Sequence, residues 1–280
     1  MARTAVGDRN GADAGENIMP IPIVLERGYL RLTDFIFHHM HQPRPSPERL
    51  ARSRLIAHRG EHDNVTVLEN TLPAFEQAVA AGVWGIEMDV RWTRDAVPVV
   101  IHDADLMRVH GVAERVDRLT WQVLRQRVPA VPGLAEVAAR FGGRMHLMLE
   151  IKPVTWPDPA TRSRTLQEAL SPLAPVEAFH LMALAPQTLL ALSAFPPRSR
   201  IAIAYHWPAG FSRWVARHQW GGVCSHFAIV HNAMIRRHHA LGQCIGTGFP
   251  ASRNCLYREI NRGVDWIFSN NAGALQREVG

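Results

Sequence analysis

From Leu55 onward, short apolar runs alternate with amphipathic ones, and this rhythm restricts the available folds more than any other feature of the chain. Candidate strands are Leu55–Arg59, Gly85–Trp92, Met145–Ile151, His180–Leu184, Arg200–Tyr205, Gly222–His226, Gln243–Gly246 and Asp265–Ser269. Between them lie helical patterns such as TLPAFEQAVAAG and SRNCLYREINRG, each ending on a glycine that can take the left-handed C-terminal position. Strands separated by helices suit parallel pairing, so eight such units predict an α/β fold, a single (β/α)8 TIM barrel over residues 55–280. A doubly wound open sheet is the alternative, weakened because no glycine-rich phosphate loop follows the first strand.

Residues 1–54 read as an N-terminal extension. The stretch before Asn17 is polar and charged, expected to be disordered, and carries no secretory apolar segment. A helix is expected from Leu25 to Met40, ending before the breaker segment HQPRPSPER and packing on the outside or base of the barrel. A membrane-surface role for this helix is the less favoured reading, because its polar face is not strongly basic. The long apolar stretch AFHLMALAPQTLLALSAFPP is interrupted by Pro186 and Ser193 and divides into a strand and a helix rather than a membrane span. Net charge is +6, spread along the chain without a basic block, which argues against nucleic acid and suits small phosphate-bearing molecules. Cys224, Cys244 and Cys255 are odd in number and lack CxxC spacing, so reduced thiols and a cytoplasmic location are expected.

The chemistry concentrates where barrel strands end. In GIEMDV, Glu87 and Asp89 stand two apart on a strand and so share a face, opposite Ile86, Met88 and Val90. Further on, MHLMLEIKP repeats the pattern with Glu150 and Lys152. His58-Arg59-Gly60 ends the first strand, and the extended run VPVVIHD ends at His102-Asp103. Singly, each has a plain structural role: a satisfied core histidine, an ion pair, an acid facing an arginine. Together, Glu87, Asp89 and Glu150 place three carboxylates at one rim, where mutual repulsion is relieved by a hard divalent cation such as Mg²⁺ or Ca²⁺. Two imidazoles beside it can serve as base and acid near neutrality. Arg59 and Lys152, the only lysine in the chain, add positive charge for a phosphate. The set points to metal-assisted phosphoester cleavage.

The ordered motifs LIAHRG, LENTLPAFEQAVAAG, GIEMDVRWTRDAVPVVIHDADLMRVHG, LTWQVL, VPGLAEV, LEIKP and GVDWIFSN resemble the glycerophosphodiester phosphodiesterases. The resemblance runs from about Leu55 to Leu275 and is strongest up to Pro153. It implies a TIM barrel with Glu87, Asp89 and Glu150 as ligands of one divalent cation. It also implies His58 and His102 as the acid–base pair, and Arg59 and Lys152 on the substrate phosphate. A glycerol hydroxyl acting as first nucleophile, through a cyclic phosphate opened by water, is implied as well. In Asn70-Thr71, Thr71 is expected to cap the following helix, with Pro73 in its first turn. Two departures stand out: Asn270 where the family usually has Asp, and CIGTGF where a Trp-containing segment is common. Both bear on substrate identity more than on reaction type. The short stretch between His102 and Glu150 leaves no room for a cap domain, so an open mouth able to admit a lysophospholipid is expected. A lysophospholipase D-type activity is therefore one alternative function, and a non-catalytic barrel that binds phosphodiesters is the other.

Overall fold

The computed structural model describes residues 32, 33, 35–155, 157–205 and 208–280. Eight strands form the barrel: β1 Leu55–His58, β2 Gly85–Trp92, β3 His146–Ile151, β4 Phe179–Ala183, β5 Arg200–Ala204, β6 Gly222–His226, β7 Cys244–Gly248 and β8 Trp266–Ser269. Each pairs in parallel with the next, and β1 pairs with both β2 and β8, through Ile56 opposite Gly85 and Leu55 opposite Ile267, so the sheet closes. The predicted strands lie within a residue or two of these. The open-sheet alternative fails because β1 has no free edge.

Helices cover the outside. Thr71 caps Leu72–Ala80, its Oγ1 accepting from the Ala74 amide, with Pro73 in the first turn as expected. Ser252 caps Arg253–Arg262, which ends on Gly263 at φ 78°. The barrel interior is filled by Ile56, Met148, Met182, Ile201, Cys224, Trp266 and Phe268. All three cysteines are free thiols, and burial pushes that of Cys244 up to about 11.

The expected Leu25–Met40 helix lies, up to residue 31, outside the described residues; residues 35–39 are helical. From there the chain runs along Arg253–Arg262. Asn254 in the first turn of that helix donates to His38 O, and Asn261 in its last turn donates to Pro43 O. Helix Pro47–Arg52 then buries Leu50 before β1 begins.

The end of the barrel where the strands start is plugged by rings. His146 and His180 share a hydrogen bond of 2.7 Å, Trp84 stacks on His146, and Trp266 meets His180 edge-on. Burial, then the neighbouring His146 and Arg54, hold the His180 imidazole down to about 3. Burial holds His146 at about 4, against the pull of the Glu177 carbonyl. Folded, the pair stays neutral down to these values, whereas the unfolded chain protonates both below about pH 6.5. The unfolded state thus binds more protons in that window, so the contribution of the pair to stability is complete above about pH 6.5 and is lost as pH falls toward 4. Urea unfolding across that range is expected to show a loss on the order of a few kcal/mol, flattened in the His146→Gln/His180→Gln double variant.

Candidate active site

The site is built at the other end, where the strands finish. Glu87 and Asp89 project from β2 and Glu150 from β3; Asp89 and Glu150 are register partners, so the pleat aims all three inward. Their oxygens lie within 4.8 Å of one another. Among the described residues this is the one acidic cluster with metal-ligand spacing.

Each carboxylate is held by parts of the sequence far from it. Glu87 Oε2 accepts from the Arg59 amide at 3.0 Å, which requires the chain to turn sharply after β1. Arg59 (φ 61°) and Gly60 (φ 80°) make that turn. A side chain at Gly60 would come within 2.8 Å of Ala74 Cβ, so glycine is demanded by both backbone and packing. Asn70, also left-handed at φ 58°, grips Asp89 twice: its Nδ2 donates to Asp89 Oδ2 at 2.8 Å and its Oδ1 accepts from the Asp89 amide at 3.2 Å. Lys152 Nζ donates to Glu150 Oε1 at 2.5 Å and stands 2.8 Å from Asp89 Oδ1.

These charges do not balance. Burial, then repulsion from Asp89 and Glu150, pushes the Glu87 carboxyl well above the usual range. Burial raises Glu150 too, although Lys152 pulls against it. For Asp89, burial is outweighed by Lys152 and then Arg59, which hold it well below the ordinary carboxylate range. Asp89 Oδ1 is buried without a well-aligned hydrogen bond even beside Lys152. Three convergent hard oxygen donors carrying a surplus of negative charge fit a divalent cation of the Mg²⁺ or Ca²⁺ type.

The two histidines flank this cluster. His58 ends β1; its Nδ1 donates to Asn270 Oδ1 at 2.6 Å, and its Nε2 stands 3.7 Å from Glu87 Oε2. The Phe249 ring, just past β7, lies 4.7 Å from the imidazole. Burial, then Arg59, lowers His58 to about 3. His102 is brought in by an antiparallel strand, Pro98–Val100, that folds back on β2 and is continued by the Ile101 amide donating to Asp89 O. Its Nδ1 donates to Asp103 Oδ1 at 2.7 Å. Burial lowers His102 as well, opposed by Asp89.

The structure therefore brings all seven residues singled out in the sequence to one rim. It also places several that sequence reasoning passed over. Glu69 accepts from Arg59 Nη1 and, through both oxygens, from Arg108, which also donates to Asp103. Arg59 is thus anchored sideways by Glu69 and lies 3.3 Å from Asp89. Arg91 continues the Glu87–Asp89 face of β2 and donates to His102 O at 2.7 Å; its period-two position was the available signal. Asn70 and Asn270, read in the sequence as part of a capping motif and as a departure, bond directly to Asp89 and to His58.

A Ser212–His238–Gln243 chain, with bonds of 2.8 Å on either side of the imidazole, imitates a nucleophilic relay. All three are buried and the Gln243 amide is spent on Val215 O and Trp220 O, so this chain is structural.

Comparison with known proteins agrees with this geometry. The family model described as the glycerophosphoryl diester phosphodiesterase family matches residues 58–176. Glycerophosphodiester phosphodiesterase 1 of Rattus norvegicus is 38% identical over 105 residues, 36% of this chain and 31% of the relative. Human lysophospholipase D GDPD3 is 39% identical over 87 residues, 31% of this chain and 26% of the relative. The chain thus spans about a third or less of the length of the curated relatives it matches. Among solved structures, a Galdieria sulphuraria glycerophosphodiester phosphodiesterase superposes with TM-score 0.71 at 18% identity, covering 81% of this chain and 97% of that one. An Oleispira antarctica phosphodiesterase, in complex with the product sn-glycerol-3-phosphate, gives 0.70 at 21%, covering 81% and 96%. At such identities the structures establish the fold.

Proposed function

We propose, from the premise that over residues 58–176 the chain belongs to the glycerophosphoryl diester phosphodiesterase family, that it hydrolyses glycerophosphodiesters to an alcohol and glycerol 3-phosphate. The observation that carries this reading is the convergence of Glu87, Asp89 and Glu150 within 4.8 Å, with His58 and His102 alongside. Those three carboxylates would hold one divalent cation, Mg²⁺ or Ca²⁺. Bound there, it would neutralise phosphoryl oxygen charge and act as a Lewis acid.

The protein groups do the rest. Lys152 supplies a buried ammonium for the phosphate, and Arg59 adds positive charge from its anchored position. His58 is placed to act as the base: its Nδ1 proton is committed to Asn270, leaving the Nε2 lone pair toward the cluster. It would take a proton from the attacking hydroxyl, whether the neighbouring glycerol oxygen or water. His102 is the better acid, because Asp103 stabilises its imidazolium while the Nε2 proton passes to the departing alkoxide.

A second reading, lysophospholipase D-type cleavage of a lysolipid, draws on the similarity to human lysophospholipase D GDPD3. Both readings break the same class of bond and differ in the leaving alcohol. A panel of glycerophosphodiesters and lysolipids followed by phosphorus NMR separates them. Chelator is expected to abolish turnover and added Mg²⁺, Ca²⁺ or Mn²⁺ to restore it. Full activity after exhaustive chelation, with metal content verified, would sink the metal assignment.

A further inference from the structure

We infer, resting on the phosphodiesterase reading above, that Arg108 and Glu69 are positioning residues for the proton given to the departing alcohol. Arg108 ties Asp103, and through it the His102 ring, to the same buried carboxylate that anchors Arg59. The chain of contacts is unbroken. His102 Nδ1 donates to Asp103 Oδ1 at 2.7 Å, and Arg108 Nε donates to Asp103 Oδ2 at 2.5 Å. The other two arms of that guanidinium donate to the two Glu69 oxygens, at 2.6 and 3.0 Å. Glu69 Oε1, which takes the shorter of these bonds, also accepts from Arg59 Nη1 at 2.9 Å.

An exposed ion pair would carry no such role, because pairs in water are worth little. Glu69 is not in water. It is 4% exposed, and its Oε2 accepts from Asn64 Nδ2 at 2.8 Å as well as from Arg108. Burial opposes its ionisation, yet Arg108 and then Arg59 hold it down to about 2, so it stays a carboxylate. A planar fork seated on a buried carboxylate is directional and fixes where its third arm, Nε, meets Asp103. The network is not what keeps this segment folded. The His102 carbonyl accepts from Arg91 Nε at 2.7 Å and the Ile101 amide donates to Asp89 O, which fixes the backbone. Just beyond, Leu106 and Val116 are buried in one cluster with Val99, Ile101 and Leu124. What is left to Asp103 and Arg108 is the direction of the imidazole.

The consequence is confined to one step. As the P–O bond breaks, its electron pair goes to the departing oxygen, and the His102 Nε2 proton has to meet that oxygen. A ring free to swing points that way for a smaller fraction of the time. The phosphate falls to Arg59, whose Nη1 hangs from the same Glu69 oxygen. One carboxylate thus sets the spacing between the phosphate-binding guanidinium and the proton donor. Removing Arg108 touches the donor alone, whereas removing the Glu69 charge touches both.

The test compares two diesters of glycerol 3-phosphate that differ in leaving group. The alkoxide of glycerophosphocholine needs the proton, whereas the phenolate of the p-nitrophenyl ester leaves without it. With Mg²⁺ supplied, Arg108→Gln is expected to lower kcat on glycerophosphocholine by about ten- to a hundredfold, and on the p-nitrophenyl ester by several-fold less. Asp103→Asn, which cuts the chain one link nearer the ring, is expected to show the same selectivity. It keeps the test open should circular dichroism show Arg108→Gln misfolded. Glu69→Gln is expected to lose on both esters and to raise KM, because Arg59 is released too. In a His102→Ala background, Arg108→Gln is expected to cost little further, and Mg²⁺ binding by calorimetry is expected to match wild type in Arg108→Gln. Equal losses on the two esters, or a full Arg108→Gln loss on top of His102→Ala, would mark a merely structural role and overturn the inference. So would a Mg²⁺ affinity that falls in step with kcat, which would tie Arg108 to the acidic cluster instead. A wild-type chain that turns over neither ester removes the phosphodiesterase reading, and this inference with it.

Discussion

Replacing His102 with alanine is expected to lower kcat on a glycerophosphodiester by about two to four orders of magnitude, the usual range for losing a positioned proton donor. The loss should fall on kcat more than on KM if His102 acts, as proposed, through its proton and not through ground-state contacts to the phosphate. Its ring is half-buried and, among the described residues, hydrogen-bonds Asp103 through Nδ1, so the variant should fold and still bind the divalent cation. His58→Ala is expected to cost a similar factor. The two differ in their second partners. Asn270 cannot stabilise an imidazolium as a carboxylate does, so Asn270→Asp should raise the His58 pKa and move the acid limb of the pH–rate profile upward. Steady-state kinetics with and without that substitution checks both points. Near-wild-type kcat in either alanine variant would remove that histidine from the mechanism.

Lys152→Met is expected to be the most destabilising single change at the site when no cation is bound. Lys152 is buried between Asp89 and Glu150, and removing one partner of a buried ion pair costs about 3–5 kcal/mol. The sign with pH follows from the groups left behind. Without the ammonium, burial and mutual repulsion raise the carboxyl pKa values above those of the unfolded chain. The folded variant then binds more protons, so its deficit should be smallest near pH 4 and grow as pH rises. A divalent cation should restore much of the loss by supplying the missing charge. Urea denaturation at two pH values, with chelator or with Mg²⁺, measures all three effects. A variant as stable as wild type under chelator would mean that the acidic cluster is not under electrostatic strain.

Several elements were legible without tertiary information because their causes are local. The eight strands carry apolar runs of strand length, and the caps at Thr71 and Ser252 sit where the helix patterns begin. Glu87 and Asp89, and Glu150 and Lys152, share faces because strand pleating has a period of two, which any reader of the sequence can apply. The same period extends to Arg91, which was overlooked because it lies one step past the acidic pair.

Other features depend on distance in the chain. Nothing near Asn70 announces that it will grip Asp89 from nineteen positions away, and nothing near Asn270 announces His58 at 212. Glu69 and Arg108 read as ordinary surface charges until the turn after β1 and the segment after His102 bring them together. Periodicity and residue chemistry, which are properties of neighbours, were enough to determine eight alternating α/β units and the carboxylates and histidines that end their strands. Only closure of the sheet, which makes neighbours of β1, β2 and β8, decided between a barrel and an open sheet, how those groups are oriented and which carboxyls resist ionisation. Pair distances and shared burial arise from that closure, and they exist nowhere in the linear chain.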